Sequence, residues 1–542
     1  MKKPFAITLD VRSSLANHTG AWRSERPVYV DGLPPCNHAC PAGEQVQAWL
    51  YAAEEGDYET AWRRLVNDNP FPAIMGRVCY HPCQTVCNRA ELDSAVGINS
   101  VERFLGDEAI RQGWQLPDPA PPTGKRVLIV GAGPAGLSTA YQLRLLGHDI
   151  EIHEAGGQAG GMMRFGIPTF RLPRDVLDSE IDRLLTLGIT LKLNTRITDL
   201  ATTMREGGFD AAFLAIGAQL SHRAYIPAGQ AARILDALNV LAGAAEGERP
   251  QLGRTVIVYG GGNTAMDAAR TAKRLGAQDA IVVYRRTQAQ MPANEIELRE
   301  ALDEGVEVKW LRTITQVGDG VLTLEKMRLD EDGRPQPTGE FEELAGDSVI
   351  LALGQDVERT ILETLPGVRI VDGVVQVDAS MMTGCPGVFA GGDMVPSTRS
   401  VTVGIGHGKA AAVNIDRWLR GVPSTPAVGG QVPVAFGSLN PWYYSDAPHA
   451  VRPRLDAGRR VADFSEVVGG LDVDTALYEA RRCMSCGNCF GCDNCFGVCP
   501  DNAVLKVDEA HGYAFNYDYC KGCGLCAAEC PCGAIIMQPE TS

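Results

Sequence analysis

Cysteine spacing near the C-terminus restricts this chain more than any other feature. Cys489, Cys492, Cys495 and Cys499 are followed by Pro500, and Cys520, Cys523, Cys526 and Cys530 by Pro531. Each run is a C-x2-C-x2-C-x3-C-P. Thiolates are soft ligands that select zinc or iron–sulfur clusters. A zinc ribbon would show two C-x2-C pairs rather than triplets closed by proline. Two triplet runs are the spacing of a pair of four-iron clusters, in which the fourth cysteine of each run serves the other cluster. Cys489, Cys492, Cys495 and Cys530 are therefore expected to hold one cluster, and Cys520, Cys523, Cys526 and Cys499 the second. That crossing requires the two runs to fold back on each other, and a small α+β domain is expected over residues 481–542. Cys483 and Cys486 precede the first run at the same three-residue step and exceed what two clusters require. The register of that run is therefore open from spacing alone.

The remaining cysteines are as unevenly placed. Of seventeen, five lie between Cys36 and Cys87, eleven between Cys483 and Cys532, and only Cys385 in the long middle. The opening "MKKPFAITLDVRSS" lacks the apolar core of an export signal. No stretch reaches the roughly 20 apolar residues of a membrane span. Many cysteines without an export signal point to metal rather than disulfides, so a cytoplasmic protein without membrane insertion is expected. The 542 residues predict three or four domains. A formal net charge of −16 repels phosphates and argues against nucleic acid as a partner.

Between the cysteine-rich ends the chain is patterned for nucleotides. "RVLIV" reads as a buried parallel strand, and Gly131, Gly133 and Gly136 form G-x-G-x-x-G. A helix follows to Leu146, and the strand "DIEIHE" ends on Glu154. This is the full context of a dinucleotide fingerprint. The glycines allow a tight turn and close approach of a pyrophosphate, the helix N-terminus faces the anion, and the acid accepts from ribose hydroxyls. A second unit begins at Arg254, with Gly260, Gly262 and Ala265 at the fingerprint positions and Asn263 among its expected cofactor contacts. Its second strand ends on Arg285 and Arg286 instead of an acid. Arginine there suits a 2′-phosphate, which an acid would repel. NADP(H) is therefore expected, with NAD(H) the alternative if the two arginines are only solvated surface.

Two further stretches, "SVILALGQ" and "GVFAGGDMVPSTRSVTVGIGHGKAAAVNIDRWL", close the middle. From Gly131 to about Leu419 the chain resembles the flavoproteins with two dinucleotide-binding domains, in which an NAD(P) domain interrupts an FAD domain. The resemblance implies that Gly392 and Asp393 meet the ribityl or pyrophosphate part of FAD, and that Gly161 is a cofactor contact. "GGMMRFGIPTFRLPRDV" and "VYRRTQAQMPANEIELREALDEGV" are similar to the glutamate synthase small chain group, over about the first 420 residues. The expected fold is α/β with two Rossmann-like domains. A helical iron–sulfur domain would span 1–123, the FAD domain 124–220 and 346–420, and the NAD(P) domain 221–345. A Pro/Gly-rich linker at 421–480 would lead to a two-cluster ferredoxin domain at 481–542. With only Cys385 in the middle, no redox disulfide is expected beside the flavin.

The same resemblance bears on the N-terminal cysteines. Cys36, Cys40, Cys79, Cys83 and Cys87 are too many for one four-ligand site and too few for two. Glutamate synthase small chains and dihydropyrimidine dehydrogenases hold two four-iron clusters in this region, one with a non-cysteine ligand. Glu102 in "AVGINSVERF" falls on that ligand's position. The family's leading C-x2-C pair is missing before Cys36, where "RPVYVDGLPP" stands, while "RRCMSCG" at Arg481–Gly487 reads like the missing piece. Cys483 and Cys486 are therefore expected to fold back and join Cys36 and Cys87 at one cluster, with Cys40, Cys79, Cys83 and Glu102 at another. The alternative is a single N-terminal cluster, with Cys483 and Cys486 idle or zinc-bound. Cys385 and Cys532 are left as ordinary thiols.

FAD, NADP(H) and four [4Fe-4S] clusters are thus the expected cofactors. A flavin converts a two-electron hydride into single electrons, which clusters carry one at a time. The chain is expected to exchange hydride between NAD(P)H and flavin and single electrons with other subunits of a multi-subunit oxidoreductase. Its ferredoxin tail resembles the NAD(P)-reducing subunits of 2-oxoacid oxidoreductases, such as the phenylglyoxylate and 2-oxoglutarate enzymes, and also NADPH-dependent iron or dye reductases. The alternatives are a self-sufficient NADPH:ferredoxin or bifurcating reductase with soluble ferredoxin as partner, a glutamate synthase small chain, and a mainly structural assembly subunit.

Overall fold

The computed structural model describes residues 18–221, 226–227, 233–363, 365–423, 430–507 and 512–540. The apolar run Arg126–Val130 is the central strand of a five-stranded parallel sheet. The strand order is Val388–Ala390, Ala211–Leu214, Arg126–Val130, Asp149–His153, Thr190–Lys192. Strands this apolar must be covered on both faces. Val127, Ile129 and Phe213 pack under the helix Pro134–Leu145. Leu128, Val130 and Leu214 pack against Val357, Ile361 and Val375 on the other face. The helix Val401–Leu419 lies along Pro134–Leu145, close enough that an added Cβ at Gly408 would meet the Ala135 carbonyl at 2.7 Å.

A second five-stranded parallel sheet is inserted between these strands, in the order Val306–Trp310, Asp279–Tyr284, Thr255–Tyr259, Ser348–Leu351, Ile234–Asp236. The helices Asn263–Arg274 and Glu295–Asp303 cover one face. The other face carries an antiparallel sheet of Arg312–Val317, Val321–Leu329 and Pro335–Ala345 that the sequence reading did not anticipate. Its pattern is legible in hindsight, since Leu322 and Leu324 alternate inward at the strand period of two.

The N-terminal helices Val46–Glu54, Tyr58–Val66, Pro72–Val78 and Ile98–Gln112 share one core with the first sheet and with the helix Val473–Ala480. Pro72–Val78 and Ile98–Gln112 cross with their backbones touching. An added Cβ at Gly106 would lie 2.2 Å from the Ala73 nitrogen, so only glycine permits the approach.

Residues 421–480 were expected as a linker, and their Pro/Gly content does prevent long elements. The described part nevertheless lies as a strap across three neighbours. Val434 donates to the Leu33 carbonyl, Asn440 to Pro531 and Val467 to Phe170. Residues Glu25–Tyr29, read from the sequence as part of the helical domain, pair antiparallel with Ile535–Pro539 at the other end of the chain. Among the described residues no helix is long and apolar enough to cross a membrane.

Candidate redox site

One cavity of about 1020 Å³ runs between the two parallel sheets and is lined by both glycine turns. In the first half, Gly131 has φ +103° and lies against the Ala215 carbonyl, which would meet a Cβ at 2.4 Å. An added Cβ at Gly136 would meet the Gly131 carbonyl at 2.0 Å. Gly133, by contrast, meets nothing nearer than the Gly161 Cα at 4.0 Å, so its missing side chain leaves room for a phosphate at the N-terminus of Pro134–Leu145. Glu154 accepts from the Ala132 and Gly156 amides, each at 2.8 Å. A carboxylate has about four lone-pair sites, so it keeps capacity for ribose hydroxyls. Gly161, Gly392 and Asp393 line the same half. Burial raises the Asp393 carboxyl, and Arg399 partly offsets this. Cys385 is not among the lining residues.

In the second half Gly260 has φ +154°, and Gly262 faces open space. Asn263 lines the cavity, but its side-chain oxygen accepts from the Asn294 amide at 2.7 Å, so it also fastens the loop before Glu295–Asp303. Arg285 and Arg286 both line the cavity, and Arg286 Nε is buried with no hydrogen-bond partner among the described residues. A buried unpaired guanidinium nitrogen is what a bound phosphate would satisfy. The two halves are joined by a buried ion network. Arg171 pairs with Asp267 at 2.8 Å and with Glu297, and Arg270 and Arg274 share Glu304 at 2.7 and 2.6 Å.

The N-terminal thiols form two groups. Cys40, Cys79 and Cys83 are neighbours of Glu102, and burial raises all three thiols, Cys79 to about 12. Glu102 is buried, and its Oε1 accepts from Asn69 Nδ2 at 3.0 Å. Burial raises its carboxyl well above the usual range, and Glu44 adds to this. Glu44 was missed by the sequence reading. It shares the Asn69 amide at 2.9 Å, and burial pushes it up to about 7. Its only sequence signal is its place four residues after Cys40.

The second group brings together Cys36, Cys87, Cys483 and Cys486. Burial raises Cys36, with Cys87 and Cys486 acting in the same direction. Cys483 is raised by burial and then by Cys36 and Cys486. Asn88 Nδ2 donates to Cys486 Sγ at 3.4 Å. Arg482 seats the returning segment through bonds to the Ala447, Ala95 and Ser94 carbonyls and an ion pair with Glu479 at 2.5 Å.

At the C-terminus Cys489, Cys492 and Cys495 are neighbours of Cys530, and Cys520, Cys523 and Cys526 are neighbours of Cys499. Cys532, read as an ordinary thiol, is buried 3.7 Å from Cys530 Sγ, and its hydrogen bond holds the Cys530 thiol down to about 6. Among the described residues no three His, Cys, Asp or Glu side chains converge as ligands of a single metal ion. Four soft sulfurs, or three sulfurs and an acid, are the donor chemistry of an iron–sulfur cluster. The groups are linked in space. Thr402, in the first turn of the helix whose neighbours Ser400 and Val401 line the cavity, donates to Cys79 Sγ at 3.3 Å. Cys36 and Cys40 sit at either end of the short helix Pro35–Ala39, and Gly487, next to Cys486, donates to the Cys532 carbonyl at 2.6 Å.

Fold and site together define a pyridine-nucleotide-dependent flavoprotein oxidoreductase with iron–sulfur regions at both ends. The chain belongs to the pyridine nucleotide-disulphide oxidoreductase family, whose model matches residues 125–408. Residues 11–114 match dihydropyrimidine dehydrogenase domain II, 4Fe-4S cluster, and residues 488–534 a 4Fe-4S dicluster domain. Cys483 and Cys486 fall outside both.

Among curated relatives, the NADP(+)-dependent formate dehydrogenase subunit beta of Moorella thermoacetica is 34% identical over 83% of this chain and 70% of its own length. The NADPH-Fe(3+) oxidoreductase subunit beta of Geobacter sulfurreducens is 32% identical over 83% of this chain and 75% of its own. The glutamate synthase [NADPH] small chain of Escherichia coli is 33% identical over 72% of this chain and 89% of its own. FAD, NADP and iron–sulfur clusters are the cofactors this architecture holds.

Proposed function

We propose that this chain is the NADP(H)-linked subunit of a multi-subunit oxidoreductase and that it carries four [4Fe-4S] clusters between the nucleotide cavity and a partner subunit. The observation that carries this reading is the contact of Thr402 with Cys79, because it sets the first thiol group against the wall of the nucleotide cavity. Gly131, Gly133, Gly136, Glu154, Gly161, Gly392 and Asp393 would hold FAD, and Gly260, Gly262, Asn263, Arg285 and Arg286 would hold NADP(H). A bound flavin supplies the conversion between hydride and single electrons. The first cluster would use Cys40, Cys79, Cys83 and Glu102, and the second Cys36, Cys87, Cys483 and Cys486. The last two would use Cys489, Cys492, Cys495 and Cys530, then Cys520, Cys523, Cys526 and Cys499. Cys83 and Glu102 are buried and the other six positions are partly buried, which limits water along the path.

A formate-oxidising partner is favoured over the 2-oxoacid oxidoreductase expected from the sequence, since the Moorella relative is a formate dehydrogenase subunit. Iron and flavin per chain on anaerobically purified protein test the reading. About sixteen irons per FAD, with NADPH bleaching the flavin faster than NADH, support it. About twelve irons overturn the split cluster, and a flavin silent to both nucleotides overturns the electron-transfer role.

A further inference from the structure

The exchange between the ends of the chain runs both ways. C-terminal cysteines reach the N-terminal thiols, and an N-terminal residue reaches a C-terminal one. Tyr29 ends the strand Glu25–Tyr29, which pairs with Ile535–Pro539 in the register Tyr29↔Ile535. The pairing is held by several independent bonds. Val30 donates to the Ala534 carbonyl at 3.0 Å, Gly20 donates to Asp518 at 2.9 Å, and Arg23 pairs with Glu540. The Tyr29 ring stacks on Phe515 with centroids 4.7 Å apart. Pinned in this way, its hydroxyl lies 3.2 Å from Cys495 Sγ. A phenol is protonated at neutral pH, and a ligating thiolate has no proton to give. The hydrogen bond therefore runs from Tyr29 to the sulfur.

We propose that Tyr29 tunes the cluster held by Cys489, Cys492, Cys495 and Cys530, raising its reduction potential through an O–H···S bond to Cys495. This rests on the ligand assignment made above. Reduction adds negative charge to the cluster and its sulfurs, so a fixed donor stabilises the reduced form more than the oxidised one. Hydrogen bonds to the sulfurs are among the recognised determinants of cluster potential. Cys495 is buried, so water does not replace the donor readily. The other three clusters have donors of different origin, Thr402 at Cys79, Asn88 at Cys486 and the Ala503 amide at Cys499. Tyr29 is thus a positioning residue for one cluster.

The test uses the full chain with its cofactors. Tyr29→Phe keeps the ring stack and removes only the hydroxyl. Cys495→Ala identifies which electron paramagnetic resonance signal belongs to the cluster. In a potentiometric titration followed by resonance, Tyr29→Phe should keep its full iron content. The signal lost in Cys495→Ala should become about tenfold harder to reduce, a negative shift of about 59 mV for one electron. The other signals should hold their midpoints. Unchanged iron with no midpoint moved overturns the inference and leaves the ligand assignment standing. A Cys495→Ala chain that keeps all its iron and every signal overturns the assignment itself.

Discussion

Replacing Arg482 by methionine should loosen the segment that carries Cys483 and Cys486 from the N-terminal helices. Its side chain is 2% exposed. It donates to the Ala447, Ala95 and Ser94 carbonyls at 2.8, 3.0 and 2.6 Å, and pairs with Glu479 at 2.5 Å and Asp93 at 3.1 Å. Removing one partner of a buried ion pair costs roughly 3–5 kcal/mol, because the other charge is left behind. Here Glu479 keeps two amide donors, Gly97 at 2.5 Å and Ala450 at 2.6 Å, and Asp93 keeps Arg89. That places the ionic part near the lower end, about 3 kcal/mol. The freed carbonyls add about 1 kcal/mol or more. A local opening made easier by about 4 kcal/mol is close to a thousandfold.

The assay is iron release to a chelator from anaerobically purified chain. Arg482→Met should lose about four irons first, with the remaining clusters released at the parental rate. Adding Glu479→Gln should restore part of the loss, since neither charge is then orphaned. Parental release kinetics for all the iron in Arg482→Met would mean that the returning segment is held by something other than this network.

Two other perturbations have clear signs. Arg286→Ala should raise the KM for NADPH by roughly ten- to a hundredfold, the range of one charge-assisted bond, and leave the KM for NADH nearly unchanged; equal effects on both nucleotides would remove the 2′-phosphate role from this residue. His148 is fully buried between Thr123 and Asp416, and burial lowers its pKa below the ordinary value of 6.5. The unfolded chain therefore takes up the proton first, and stability should fall as pH drops below about 6.5, by at most about 1.4 kcal/mol per unit. Thermal melts of His148→Gln between pH 7.5 and 5.5 should show a flatter dependence than the parent, and parallel curves would count against it.

Some of this protein is written locally. Strand, glycine turn and helix occupy consecutive residues, so the positive φ of Gly131 and Gly260 belongs to their own turns, while the carbonyls that crowd them, of Ala215 and Ala352, come from distant strands. Glu154 and Arg285–Arg286 close those units at the end of the next strand, which a short crossover must place beside the first. The return of Cys483 and Cys486 was legible only as a gap before Cys36 matched by a surplus after Ala480.

The antiparallel sheet at 312–345 was missed because its inward positions, Leu322 and Leu324, lie among charged and polar neighbours. The strap at 421–480 was read as loose because proline and glycine forbid regular elements but not packing. Thr402 on Cys79 and Tyr29 on Cys495 have no local signature at all, while Glu44 is marked only by its place after Cys40 and Cys532 only by its place two residues after Cys530.

Local sequence carries the covalent ingredients and their short-range geometry: two nucleotide turns, the thiol triplets, and the sign of charge at each turn. Which donor reaches which sulfur, and which thiol group stands nearest the nucleotide cavity, is set by the tertiary fold, which also seats the ligand sets that spacing and resemblance anticipated. The reason is physical. A turn is specified by the dihedral preferences of a few adjacent residues, whereas a ligand set drawn from opposite ends of the chain depends on how cores, strand pairs and buried ion pairs bring distant segments into contact.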